Sequence, residues 1–281
     1  MIFIISIFIL IIIVVFASYS KRRNLAPLHV PNWSKDTVYL MQYPVSPNIR
    51  SISPFCLKLE TWLRLTGISY ENVYTRRVSG TIGTVPYIEL NGEQFEDSNL
   101  IIEKLKLHFG VDPENGLSDE EKASSHAFQT MLEEHTTQIG FWWRYGLNME
   151  RFAEVCLENW PRIWAMRWFM PAGMRRKGKL CCWGRWDEET ALNFSFKDIK
   201  AISGYLGNKK FLHGDTPTTI DCVIFGHLAQ FLYIPMEFPQ AGYMYMKCEG
   251  VVNLVENVRT MYWTDWEEMC AQGCMEGKMS K

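Results

Sequence analysis

Ser53-Pro54-Phe55-Cys56, Thr84-Val85-Pro86 and Asp97-Ser98 are the stretches whose residue types and spacing could do chemistry. Ser53 precedes a predicted helix, and the unpaired N–H groups and positive dipole end at that point favour a developing anion such as a thiolate. The plainer reading makes Ser53 an N-cap with Pro54 at the first helical position. Cys56 lies three residues on, where the resolving cysteine of a redox pair would sit. Ser53 holds the attacking position and no second thiol is local, so dithiol exchange is disfavoured and Cys56 reads as buried core. Ser98 and the N–H groups at the start of its helix form an anion site suited to a carboxylate, with Asp97 available to an ammonium. An ordinary helix cap needs the same two residues. The three stretches carry a binding site together, and none does so alone.

The elements that must hold these residues follow from periodicity. Val38 to Met41 reads as a buried strand, Pro54 to Leu65 as a helix stopped by Gly67, and Tyr70 to Tyr74 as a strand. Tyr87 to Leu90 and Gln94-Phe95 flank Asn91-Gly92, a dipeptide that supplies two positive φ angles for a tight hairpin. Asp97-Ser98 then leads into a helix from Asn99 to Leu107, completing a β-α-β-β-β-α order of thioredoxin type. After the turn-rich linker at residues 111–118, residues 119–275 show helical periodicity without strand alternation, followed by a tail at 276–281. Thr218 with Asp221 three residues later forms a capping-box pattern ahead of Val223, Phe225 and Leu228.

Composition bounds the rest. The chain has 281 residues, 47% of them hydrophobic, with 11 Trp and 16 Phe, enough apolar mass for two packed domains. A net charge of -2 without a strongly basic block argues against a nucleic-acid partner. Eight cysteines scattered over so long a chain do not make a disulfide scaffold, and reduced thiols in the cytosol fit best. Cys181-Cys182 and the pair Cys270 and Cys274 could each present two soft ligands, but without a Cys-x-x-Cys or a clustered run no metal site is expected. The histidines show no zinc spacing and read as structural. Met1 to Ala17 is an apolar run followed by Lys21, Arg22 and Arg23, which predicts a transmembrane anchor over residues 1–20 and a cytosolic body. Residues 21–36 read as a tether and 37–110 as the first domain. Trp160 to Lys179 mixes tryptophans with arginines and lysines, a composition that suits either an anionic membrane surface or, more commonly, a core helix followed by a basic loop.

From residue 37 to about 270 the chain resembles the glutathione-transferase-like superfamily. The resemblance rests on Ser53 to Thr61, Thr84 to Gly92 and the Thr218 to Asp221 cap. Within the superfamily, the chain is similar to the cadmium-responsive lysosomal proteins and to the failed axon connections and metaxin relatives. The resemblance implies an α/β thioredoxin-like domain plus an all-α domain, here preceded by one transmembrane helix. It implies glutathione as ligand or co-substrate, with Ser53 catalytic at the thiol and Tyr43 and Ser51 as second choices. It also implies a cis Val85-Pro86 bond that lets Val85 pair with the cysteinyl unit, while Asp97 and Ser98 hold the γ-glutamyl end. An apolar electrophile would be the second substrate of an enzyme of this kind. The expected role is in stress, cadmium or xenobiotic response at a lysosomal membrane, with a homodimer left open and a non-enzymatic adaptor as the competing reading.

Overall fold

The computed structural model describes residues 28–75, 83–157, 163–181 and 183–271. Its first domain is built on β1 (Val38–Gln42), whose five residues are all buried. A strand without a polar face needs cover on both sides, and β1 accordingly lies inside a sheet of order β2-β1-β3-β4. β2 (Tyr70–Tyr74) runs parallel to it, which requires a crossover, and α1 (Pro54–Thr66) supplies that crossover. β3 (Tyr87–Leu90) pairs antiparallel with β1, and β4 (Glu93–Glu96) pairs antiparallel with β3. The hairpin turns on Asn91 (φ 52°) and Gly92 (φ 84°), as the dipeptide predicts. α2 (Ser98–Phe109) completes the expected order, its ends one or two residues outside those read from the sequence.

The second domain is helical. α3 (Asp119–Met131) continues through a π turn at Leu132–Thr136, α4 (Thr137–Phe141) and a second π turn at Trp142–Leu147. α5 (Met149–Cys156), α6 (Ile163–Leu180), α7 (Glu188–Leu206), α8 (Thr219–Tyr233), α9 (Pro239–Lys247) and α10 (Glu249–Tyr262) follow. Every residue of α8 from Thr219 to Phe231 is buried, the expected fate of a helix that is apolar all round. Asp221 closes its start, accepting from Thr218 N at 2.8 Å and also from Leu212 N at 2.8 Å.

The domains meet where α1 lies on α8. At Gly226 an added Cβ would stand 2.7 Å from both Lys58 N and Pro54 O, so only glycine permits this approach. Trp62 Nε1 donates to Thr219 Oγ1 and Trp263 Nε1 to Thr61 Oγ1, while Arg64 grips Asp265 with two bonds of 2.6 and 2.8 Å.

The expected transmembrane segment, Met1 to Ala17, lies outside the described residues. Among those described, no helix is long and apolar enough to cross a membrane. The expectation of a single-pass membrane protein thus finds no span among the described residues and is withdrawn. Part of the expected tether is bound to the sheet: His29 N and Val30 N donate to the carboxylate of Glu89, and Asp36 N donates to Asn91 Oδ1. A carboxylate buried on β3 needs such donors, and the preceding chain provides them. In α6, Trp168 and Phe169 are 76% and 74% exposed and the helix runs on through Arg175, Arg176 and Lys179, so it is neither a core helix at those aromatics nor a basic loop after them.

Candidate functional site

Ser53 caps α1 from a half-buried position. Its Oγ accepts from Cys56 N at 3.4 Å, and its own N–H donates to Ser51 Oγ at 3.3 Å. The Val85–Pro86 peptide is cis. Ser53 and Val85 line one cleft of about 240 Å³, with Tyr43, Phe55, Thr84 and, from the helical domain, Phe141 and Tyr145 among the other walls. The cleft therefore combines a helix N-terminus, the backbone at Val85 beside a cis proline, and aromatic faces, an arrangement suited to a peptide-like ligand that carries an anionic group.

Cys56, directly behind Ser53, is wholly buried, and burial pushes its thiol up to about 12 against the weaker pull of the Ser53 and Ser51 hydroxyls. It is packing, not a nucleophile. Burial also lifts the Tyr43 hydroxyl to about 12, so Tyr43 is a neutral donor near pH 7. Ser51 is buried and turns its carbonyl, not an open hydroxyl, to the helical domain, where Gln230 Nε2 donates to it at 3.0 Å.

The remaining expected residues lie apart from those lining the cleft. Pro86 is buried at the entrance to β3. Asp97 is exposed with φ 68°, and its carboxylate accepts from Asn99 N at 2.9 Å and Leu100 N at 3.1 Å. Those donors at the start of α2 are thus already used by the protein, and Ser98 beside them is buried.

Two clusters carry no sequence motif. On the cleft side Arg144, 1% exposed, donates to Ile52 O at 3.2 Å, to Gln230 Oε1 at 3.2 Å and to Tyr145 Oη at 2.7 Å. On the α2 side the ammonium of Lys58 reaches Asn99 Oδ1 at 2.6 Å and Glu133 Oε1 at 2.8 Å, and Asn99 returns a bond to Glu133 Oε2 at 2.8 Å. Burial lowers Lys58 against the opposing pull of Glu133. His227 is buried with its Nδ1 2.6 Å from Thr137 Oγ1, and burial holds it well below the usual imidazole range. Nothing local announces these contacts, because all the partners except the neighbours Arg144 and Tyr145 stand far apart in the chain.

Among the described residues no group of three or more His, Cys, Asp or Glu could hold a metal ion, and Cys182 and Cys274 lie outside them.

A thioredoxin-like half with a cis-proline edge, packed by its first helix against an all-helical half, defines a two-domain transferase architecture. Residues 54–151 match the family described as "Glutathione S-transferase N-terminal domain", and residues 196–258 that described as "Glutathione S-transferase, C-terminal domain". The chain is 31% identical over 241 residues to the isoprene-epoxide–glutathione S-transferase of Rhodococcus sp. (strain AD45), covering 80% of this chain and 98% of that protein. The chain belongs to the glutathione S-transferase family. It is also 34% identical over 264 residues to Failed axon connections of Drosophila melanogaster, covering 87% of this chain but spanning only 62% of that protein. The Metaxin-2 homolog of Caenorhabditis elegans is 27% identical over 185 residues, 62% of this chain and 78% of that one. Among solved structures, a glutathione S-transferase of Methylobacterium radiotolerans in complex with glutathione sulfonate shares the fold with a TM-score of 0.53 at 14% identity, over 80% of this chain and 91% of that one.

The cadmium-responsive group is not shown by these matches. The lysosomal placement, which rested on that resemblance alone, is withdrawn with it.

Proposed function

We propose that the chain binds glutathione in the cleft between Ser53 and Val85 and joins it to a soft, largely apolar electrophile. One observation carries the reading: Ser53, at the start of α1, and Val85, beside a cis proline, line a single cleft whose far wall is aromatic. Near full-length similarity to a protein named for glutathione transfer supports it. In this reading the Ser53 hydroxyl donates to the glutathione sulfur and the Val85 backbone pairs with the cysteinyl unit. At the start of α2, beyond the residues that line the cleft, the exposed Asp97 carboxylate meets the ammonium of the γ-glutamyl end and the Ser98 hydroxyl, in place of the N–H groups that Asp97 already uses, meets its carboxylate. The thiol gives its proton to solvent, the thiolate forms a C–S bond at the electrophilic carbon, and the displaced group leaves with the bonding pair. Phe55, Phe141 and Tyr145 offer the electrophile an apolar face.

Calorimetry with glutathione and the full chain tests the site. Binding near or below millimolar that Ser98→Ala weakens supports it, with Ser53→Ala then slowing conjugation more than binding. No binding by folded protein would favour the second reading, a non-enzymatic interaction protein on the same fold. That reading draws on the similarity to Failed axon connections and the metaxins, whose names state no chemistry. A homodimer belongs to the same proposal and is tested by sedimentation.

A further inference from the structure

Arg144 is 1% exposed and makes no ion pair among the described residues. Its guanidinium lies 4.5 to 5.0 Å from the ring centres of Phe141, Tyr145 and Phe152. It spends bonds on Ile52 O, Gln230 Oε1 and Tyr145 Oη, and its Nε finds no partner. A buried cation without a counter-anion carries an uncompensated desolvation cost, and the ring faces and neutral oxygens offset only part of it. Elsewhere in this fold buried cations are matched: Arg50 meets Glu60 at 3.2 Å and Lys58 meets Glu133 at 2.8 Å.

The unmatched charge has a direction. Ile52 and Tyr145, two of its bonded partners, are walls of the cleft that contains Ser53. Because Tyr145 Oη accepts from Arg144, its own proton is not used in that bond. No other hydrogen bond of that hydroxyl occurs among the described residues. A hydroxyl polarised by a cation is a stronger donor toward an adjacent anion.

We infer that Arg144 is the built-in countercharge for a thiolate held at Ser53, and that it acts both through space and by polarising the Tyr145 hydroxyl toward the cleft. This rests on the reading of the cleft as a glutathione site. Arg144 is a positioning residue in this scheme, since Tyr145 and Ser53 face the ligand and Arg144 does not. The step it favours is ionisation alone: the thiol S–H breaks, its proton goes to solvent, and the electron pair stays on sulfur. Other titratable groups around this wall do not supply the charge. Tyr43 and Cys56 are neutral near pH 7, Cys156 on α5 is pushed up to about 11 by burial, and His227 on α8 is held neutral.

The test follows the ultraviolet absorbance of the bound thiolate against pH in the full chain, with S-methylglutathione, which has no thiol to ionise, as the control ligand. Arg144→Met is expected to raise the ionisation midpoint of bound glutathione by about one pH unit, as loss of a nearby opposite charge does, while S-methylglutathione binding changes less than about twofold. Arg144→Lys should recover part of that shift, and Tyr145→Phe should raise the midpoint by a smaller step. A midpoint unmoved in Arg144→Met overturns the inference and leaves the glutathione site standing. If Arg144→Met does not fold, an unmoved midpoint in Tyr145→Phe overturns it instead. Failure of the unaltered chain to bind either ligand removes the site, and the inference with it.

Discussion

Among the places where the helical domain grips the thioredoxin-like domain, two at helix starts differ in charge. At the start of α2 the contact is balanced: Lys58, Glu133 and Asn99 close a ring of short bonds with one cation and one carboxylate. At the start of α1 the contact is unbalanced, since Arg144 and Gln230 hold the carbonyls of Ile52 and Ser51 with no carboxylate in the set. Both arms come from π turns, Glu133 from Leu132–Thr136 and Arg144 from Trp142–Leu147. The extra residue of a π turn changes the helical phase and lets inward polar side chains depart from the regular stripe. A balanced pair makes a rigid joint, whereas an unbalanced cation leaves electrostatic work for a ligand to complete.

The largest effect should come from breaking the balanced grip. Lys58→Met leaves Glu133 buried without its cation and should cost about 3–5 kcal/mol of unfolding free energy in urea titration. Adding Glu133→Gln should restore much of that loss, because the two changes are coupled through one network. Gly226→Ala should come next at about 3 kcal/mol, since the new methyl meets α1 backbone at 2.7 Å and neither helix can yield without shifting both grips. Arg144→Met should cost less, about 2 kcal/mol, because it strands neutral oxygens and no charge. If Arg144→Met destabilised the protein as much as Lys58→Met, the contrast between the grips would be lost.

The first domain is legible in the sequence because its signals are local. Asn91-Gly92 fixes the hairpin, Ser53-Pro54 starts α1 and Gly67 stops it, with φ 69°. Motif order alone places Ser53 and Val85 in one cleft. The far wall escapes such reasoning, because Phe141 and Tyr145 reach the cleft, with Arg144 bonded behind Tyr145, by way of two π turns that sequence periodicity does not reveal. α6 departs from its sequence expectation for a related reason. Trp168 and Phe169 suggest core because aromatics usually are buried, yet both are exposed in the fold. Nor does composition show that the N–H groups at the start of α2 are taken by Asp97, since a cap and an anion site use the same donors.

The smallest predicted effect separates the two π turns by pH. His135, in the first turn, bonds Asp198 of α7 through Nδ1 at 2.6 Å, and that carboxylate, which also accepts from Thr136 Oγ1, raises the imidazole above its ordinary value. A group whose folded value is raised contributes its stability fully below the unfolded value of 6.5 and loses it as pH climbs through the folded value. With the side chain 38% exposed, solvent screening limits the contribution to about 0.5 kcal/mol. The unaltered chain should therefore be slightly more stable at acid-side neutrality than at mildly alkaline pH, and His135→Gln should flatten that slope. Intrinsic exchange also speeds with pH, so amide hydrogen exchange is best compared as protection factors. Protection at residues 132–136, which carry Glu133 to the balanced grip, should fall as His135 loses its proton, while protection at 142–147 around Arg144 should hold. Equal loss in both segments would mean that the two turns open together and that the grips are one cooperative unit.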